Sequence, residues 1–144
     1  LKDSYQAGKN GEKESDVFLK NHGFYRPSKK RRAKIKEQYK SAGISIKETA
    51  FDLVRKDDDA SLPTLYELKT AGRNRIAAIG KNWKGLGFTL TESEEENALL
   101  LAGKYKFIFL DLKSERYKIL SLSDFLNEQN ARVYRTKSVF IKNL

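Results

Sequence analysis

The spacing of apolar residues divides the chain into short elements separated by polar breaks. Val17, Phe18 and Leu19 lie among polar residues between Gly11 and Asn21, and the segment stops at His22-Gly23, where glycine readily takes a left-handed conformation. A first helix is predicted there. Lys29 to Lys40 reads as a second, strongly basic helix or as an ordered loop, broken by Ser41-Ala42-Gly43. Ile44 to Arg55 and Thr64 to Thr70 are rich in β-branched and apolar residues and flank the polar cluster Lys56 to Ser61, which is a β-hairpin signal. Ala71 to Gly87 is glycine-rich without a clear period and predicts loop with one short helix. Phe88-Thr89-Leu90 predicts a short strand, and Thr91 with Glu94 has the spacing of a capping box opening a helix to about Ala102. Tyr105 to Leu112 and Tyr117 to Leu122 predict a second hairpin around Lys113-Ser114-Glu115-Arg116. Ser123-Asp124 is the expected cap of a short helix, and Val133 to Ile141 one more strand. No repeat is evident, and strands interleaved with helices indicate an α/β fold.

Composition narrows the chemistry. At 144 residues the chain suits one compact domain, residues 1–144, and 39% apolar residues with 11% aromatics exclude a disordered tail. The absence of cysteine excludes disulfides, thiolate zinc sites and thiol nucleophiles, and a single histidine excludes His-rich metal sites. Any metal must therefore be held by oxygen ligands. No run approaches the ~20 apolar residues of a spanning helix, and Leu1 to Asn10 is polar rather than signal-like. The expectation is a cytoplasmic or nucleoid-associated protein, not secreted and without a membrane partner. The chain begins at Leu1 without an initiator methionine, so a longer protein with additional domains stays open.

Charge is concentrated rather than spread. The 29 Lys and Arg against 19 Asp and Glu leave a net +10, and residues 24–47 hold nine of the cations against the single acid Glu37. The centre of that segment carries Lys29, Lys30, Arg31, Arg32, Lys34 and Lys36, which repel one another unless a polyanion supplies counter-charge. A second acid-free stretch adds Arg73, Arg75, Lys81 and Lys84 around Trp83. A solvated face or a localisation tag would look similar. Phosphate contacts to a nucleic acid account better for both stretches, and charge alone does not separate DNA from RNA. Trp83 could stack on a base or sit in the core, and the core is the expectation.

Candidate chemistry lies in the first hairpin. Strand alternation puts Glu67 and Lys69 on one face of Leu65-Tyr66-Glu67-Leu68-Lys69-Thr70. Pairing Asp52 with Glu67 centres the turn between Asp59 and Ala60, in the middle of the polar cluster. Without a bulge, that register brings the β-carbons of the two acids to ~4.5–5.5 Å, where two carboxylates repel unless a cation separates them. Hard Mg²⁺ accepts such all-oxygen sites, using one or two carboxylates with water and substrate phosphate. A cross-strand ladder of salt bridges is the bland alternative. Acid-x-Lys occurs again at Asp111-Leu112-Lys113, but there no partner strand delivers a second acid. Glu92, Glu94, Glu95 and Glu96 resemble a metal cluster, yet their place in a first turn assigns them to the helix dipole. His22, beside Gly23 at a helix end, is assigned to capping or the surface.

Asp52 followed by Glu67-Leu68-Lys69 resembles the motif of the PD-(D/E)XK nucleases, with Phe51 standing where the eponymous proline would be. Gly8-Lys9-Asn10-Gly11-Glu12 is similar to the glycine-glutamate opening of the first helix in several branches. The run Phe88-Thr89-Leu90-Thr91, with Glu94, Ala98 and Tyr105, is similar to the segment after the core in the branch typified by the nuclease-like domain ending plant NO VEIN proteins. The resemblance spans about residues 8–122. It implies a restriction-endonuclease-like mixed β-sheet core flanked by α-helices. It further implies that Asp52 and Glu67 ligate Mg²⁺, with Mn²⁺ as substitute, that Lys69 orients or helps deprotonate the attacking water, and that Glu12 supports the metal. Asp16, one turn later, is the substitute for Glu12.

The expectation is a Mg²⁺-dependent endonuclease that hydrolyses DNA phosphodiester bonds, with a role in restriction or repair. One rival is a catalytically inactive nucleic-acid-binding module of the same fold; another is a small basic RNA-associated protein. A homodimer would suit double-strand cleavage, although nothing in the chain demands one.

Overall fold

The computed structural model describes residues 14–71, 83, 87–125, 131–133 and 138–142, and the statements below concern these. Residues 14–21 are helical (α1). The helix ends as its sequence requires: the His22 N–H donates to the Leu19 carbonyl and the Gly23 N–H to that of Lys20, with Gly23 at φ 85°. Strand β1 (Phe24–Tyr25) leads to Ser28, whose hydroxyl accepts from the Arg31 N–H at 3.1 Å and caps α2 (Lys29–Ser41). Helix settles the choice that the sequence left open. Ile35 and Tyr39, one turn apart, bury against the core, and α2 stops before Gly43 at φ 82°.

The first hairpin is shorter than predicted. Residues 44–52 are not strand, and pairing begins with a single antiparallel bridge between Leu53 and Tyr66, followed by β2 (Val54–Arg55). β2 pairs with β1 rather than extending along β3 (Leu65–Ala71). Thr64 to Thr70 thus falls almost wholly within the observed β3. Parallel strands need a crossover, and α3 (Glu92–Leu101) lies between β3 and its parallel partner β5 (Tyr105–Asp111). β6 (Arg116–Leu120) closes the second predicted hairpin antiparallel to β5. β3, β5 and β6 form a three-stranded mixed sheet, linked by the Leu53–Tyr66 bridge to the β1–β2 pair, and β5 is buried along nearly its whole length.

Period-two alternation sorts the sheet's side chains into two cores. Tyr66, Ile108 and Leu110 meet Leu19 of α1 and Phe24, while Leu65, Phe107 and Phe109 belong with Ile35 and Tyr39 of α2 and Ala98 and Leu101 of α3. Glu67 and Lys69 are in phase with Leu65, so they project towards the α2 and α3 side.

Two further expectations change. The last predicted strand is two, β7 (Ala131–Val133) and β8 (Ser138–Ile141), which pair antiparallel with each other, and β8 also pairs with β4 (Gly87–Thr89). The cap of α4 (Leu122–Phe125) is Ser121 rather than Ser123, because Asp124 accepts from the Ser121 N–H at 2.8 Å. The predicted loop after Ala71 lies outside the described residues apart from Trp83. Trp83 is buried, with the Arg116 guanidinium 5.4 Å from its ring centroid, in keeping with a core role.

Candidate active site

Asp52 reaches the sheet through an irregular pairing. The Tyr66 carbonyl accepts from both the Asp52 and the Leu53 N–H groups, at 2.9 and 3.0 Å, so two residues of one strand oppose one of the other, as in a β-bulge. One position further, the Leu68 N–H donates to Asp52 Oδ2 at 2.8 Å. The carboxylate fills the place of a ladder carbonyl and is fixed against the Glu67-Leu68-Lys69 segment. The Leu53–Tyr66 bridge lies on the predicted register, but the bulge ends that register at Asp52, which shares Tyr66 with Leu53 instead of pairing across from Glu67. The bulge was not expected, and it is what turns the Asp52 carboxylate onto the backbone of β3.

Two arginines hold this arrangement. Arg26 Nε lies 2.8 Å from Asp16 Oδ1, and its Nη1 3.8 Å from Asp52 Oδ1. Arg32 differs from its expected role as a phosphate contact. Its guanidinium turns inward, donating to the carbonyls of Pro27, Glu48, Phe51 and Asp52 at 2.6–3.2 Å, and lies 4.8 Å from the Phe51 ring centroid. Burial lowers its pKa. Arg32 therefore ties α2 to the 48–52 loop that carries Asp52, and its planar fork suits that task as a lysine would not.

Glu67, Lys69 and Glu94 form the rest of the site. Lys69 Nζ lies 2.9 and 2.8 Å from the two Glu94 carboxylate oxygens and 3.0 Å from the Thr89 carbonyl. Glu94 also closes the capping box of α3, accepting from the Thr91 N–H at 2.9 Å while its own N–H donates to the Thr91 hydroxyl. The assignment of Glu94 to the helix terminus is thus borne out, yet it omits half of what this side chain touches. Burial first, then the Asp52 charge and the hydrogen bond and charge of Glu94, push the Glu67 carboxyl up to about 9, against the opposing pull of Lys69. Glu94 moves the other way: burial raises it, but the Lys69 and Thr91 hydrogen bonds outweigh that and hold it below the ordinary carboxylate range. Glu67 thus carries the proton and Glu94 the charge, because the ammonium touches Glu94. The Tyr105 hydroxyl, donating to the Ala50 carbonyl at 3.2 Å, is raised by burial and then by Glu67, Glu94 and Asp52, which places it among all three acids. A cleft of about 500 Å³ opens on the group, with Glu67 and Glu94 on its wall beside Ser45, Lys47, Thr49 and Asn97.

The structure brings together Asp52, Glu67 and Lys69 of the predicted set. Glu12, Arg73, Arg75, Lys81 and Lys84 lie outside the described residues. Asp16, the substitute for Glu12, is paired with Arg26. On α2, Lys29, Lys30 and Lys34 are exposed and Arg31 and Lys36 half-buried, leaving a basic outer face once Arg32 is set aside. The second acid-x-Lys copy is structural. Asp111 is fully buried and holds the β5–β6 turn, accepting from the Lys113 N–H at 3.1 Å and the Ser114 hydroxyl at 2.7 Å, with Arg116 Nη2 at 3.6 Å. His22 donates from Nδ1 to the Phe18 carbonyl at 2.8 Å and lies against the Phe18 and Tyr117 rings, away from the carboxylates.

Sequence reasoning missed Glu94, Arg26 and the inward turn of Arg32. The capping box marks Glu94 in the sequence, but its contact with Lys69 spans 25 residues and depends on how α3 crosses β3. Among the described residues, no group of three or more His, Cys, Asp or Glu side chains is set to hold a metal ion, and of the expected ligands Asp52, Glu67 and Glu12 the described ones are Asp52 and Glu67. Two carboxylates fit Mg²⁺, which retains several waters and binds few protein ligands. No described helix is long and apolar enough to cross a membrane. In comparison with known proteins, no family model matches the chain, and no curated protein or solved structure is significantly similar to it.

Proposed function

We propose that the chain is a metal-dependent nuclease that hydrolyses DNA phosphodiester bonds on a restriction-endonuclease-like core. One observation carries this reading: Asp52 is fixed by the Leu68 N–H at 2.8 Å beside Glu67, with Lys69 on the same face of β3 as Glu67. The mixed sheet with helices on both faces supports the fold assignment. Asp52 and Glu67 would hold Mg²⁺ or Mn²⁺, which would lower the pKa of a water and offset charge on the phosphate when bound. Lys69 places an ammonium beside the attacking water. The outer face of α2, with Lys29, Lys30, Arg31, Lys34 and Lys36, would grip the DNA backbone.

The test is nicking of supercoiled plasmid in Mg²⁺ or Mn²⁺ by the parent, Asp52→Asn and Lys69→Ala. Cleavage by the parent alone is expected. Equal cleavage by all three would reject the site, and DNA binding without cleavage in any divalent metal would leave the inactive binding module.

A further inference from the structure

We infer that Glu94 is a positioning residue for Lys69, aiming its ammonium at the water or phosphate that the carboxylate pair receives. This rests on the nuclease reading of the same site. Lysine brings a flexible four-carbon stem, and an unrestrained one would spend most of its time off target. Here both ends of the problem are solved by α3 and the segment before it. Glu94 presents two oxygens at 2.9 and 2.8 Å, and the Thr89 carbonyl adds a third acceptor at 3.0 Å.

The geometry of that contact leaves a donor to spare. The two oxygens of one carboxylate lie too close together to meet separate N–H bonds splayed at tetrahedral angles, so one N–H is shared between them. Thr89 takes a second. The third has no acceptor among the described hydrogen bonds of Lys69, and its direction is fixed by the other two. The pair is shielded, with the Lys69 side chain 16% and the Glu94 side chain 11% exposed, so the contact is stronger than a surface ion pair. The Phe88 ring, its centroid 6.0 Å from Nζ, flanks the same ammonium. Glu94 is anchored independently by its capping-box bonds to Thr91, which makes the acceptor as rigid as the helix end that carries it.

Glu94→Gln preserves the capping box while removing the charge that grips Lys69; because Glu94 also bonds Glu67, nicking is measured at saturating Mg²⁺, and a rate that saturating Mg²⁺ restores to the parent's would overturn the inference. Two readouts are needed. Amine acetylation followed by peptide mass mapping compares Lys69 with exposed Lys104, and the parent should modify Lys69 at least roughly 10-fold more slowly, with E94Q accelerating it. Plasmid nicking by the folded protein should show kcat reduced roughly 10- to 100-fold in E94Q, the range expected for a misplaced catalytic group, with KM close to the parent's. An unchanged kcat in E94Q, with the parent cleaving, would overturn the inference while sparing the nuclease reading, as would Lys69 reacting as fast as Lys104 in the parent. A parent that cleaves in no metal would overturn the nuclease reading, and this inference with it.

Discussion

Replacing Glu67 with glutamine should stabilise the metal-free protein, and increasingly so as the pH rises. In the unfolded chain this carboxyl titrates near its ordinary 4.5; in the folded protein it is pushed up to about 9. Below the lower value both states hold the proton, and parent and variant should differ only by local packing. Above it, the unfolded chain releases a proton that the folded protein retains. The stability contributed by the protonated carboxyl is then lost progressively as the pH climbs towards the folded pKa. One proton corresponds to a slope of at most about 1.4 kcal/mol per pH unit. Because water reaches Glu67 from the cleft, we halve this, giving roughly 1–1.5 kcal/mol between pH 5 and 7. Urea unfolding of parent and E67Q in EDTA, at steps across that range, measures the difference directly. Parallel stability curves would refute the reasoning, for Glu67 would then titrate as an ordinary carboxylate and could not be enclosed with Asp52 and Glu94.

Arg32→Ala should cost about 2–3 kcal/mol in urea unfolding, since it strips donors from four loop carbonyls, and Arg32→Lys should recover little of it. Changing Lys29, Lys30 and Lys34 together to Gln should leave stability unaltered but reduce the salt dependence of DNA binding by about 2–3 in log K against log salt, read by fluorescence anisotropy. An unchanged slope would place the DNA elsewhere. Asp111→Ala should destabilise by about 1–3 kcal/mol by removing the acceptor that holds the β5–β6 turn, without altering plasmid nicking by the folded protein.

Local rules served the helices well. The Gly23 stop, the break at Gly43, the Thr91–Glu94 capping box and the β5–β6 hairpin each depend on residues within a few positions of one another, and each is present as read. The 44–52 part of the predicted strand failed because β propensity could not register Arg32, which draws the loop carbonyls at Glu48 and Phe51 towards α2 and keeps that stretch out of the sheet. The terminal strand failed in a similar way: its β-rich composition gave no sign that it would divide and pair with β4.

For the site, alternation along a strand was enough to put Glu67 and Lys69 on one face, and the position of the polar cluster was enough to bring the segment ending in Asp52-Leu53 against Tyr66, though not to foresee the bulge at Asp52. Both follow from backbone geometry that every β-strand shares. What only the folded chain decided is which charges those side chains meet. Arg32 became a strut, Glu94 became the partner of Lys69, and Asp111 became a turn anchor. Each outcome depends on which elements pack together across tens of residues, and burial then fixes the charge that each group can carry.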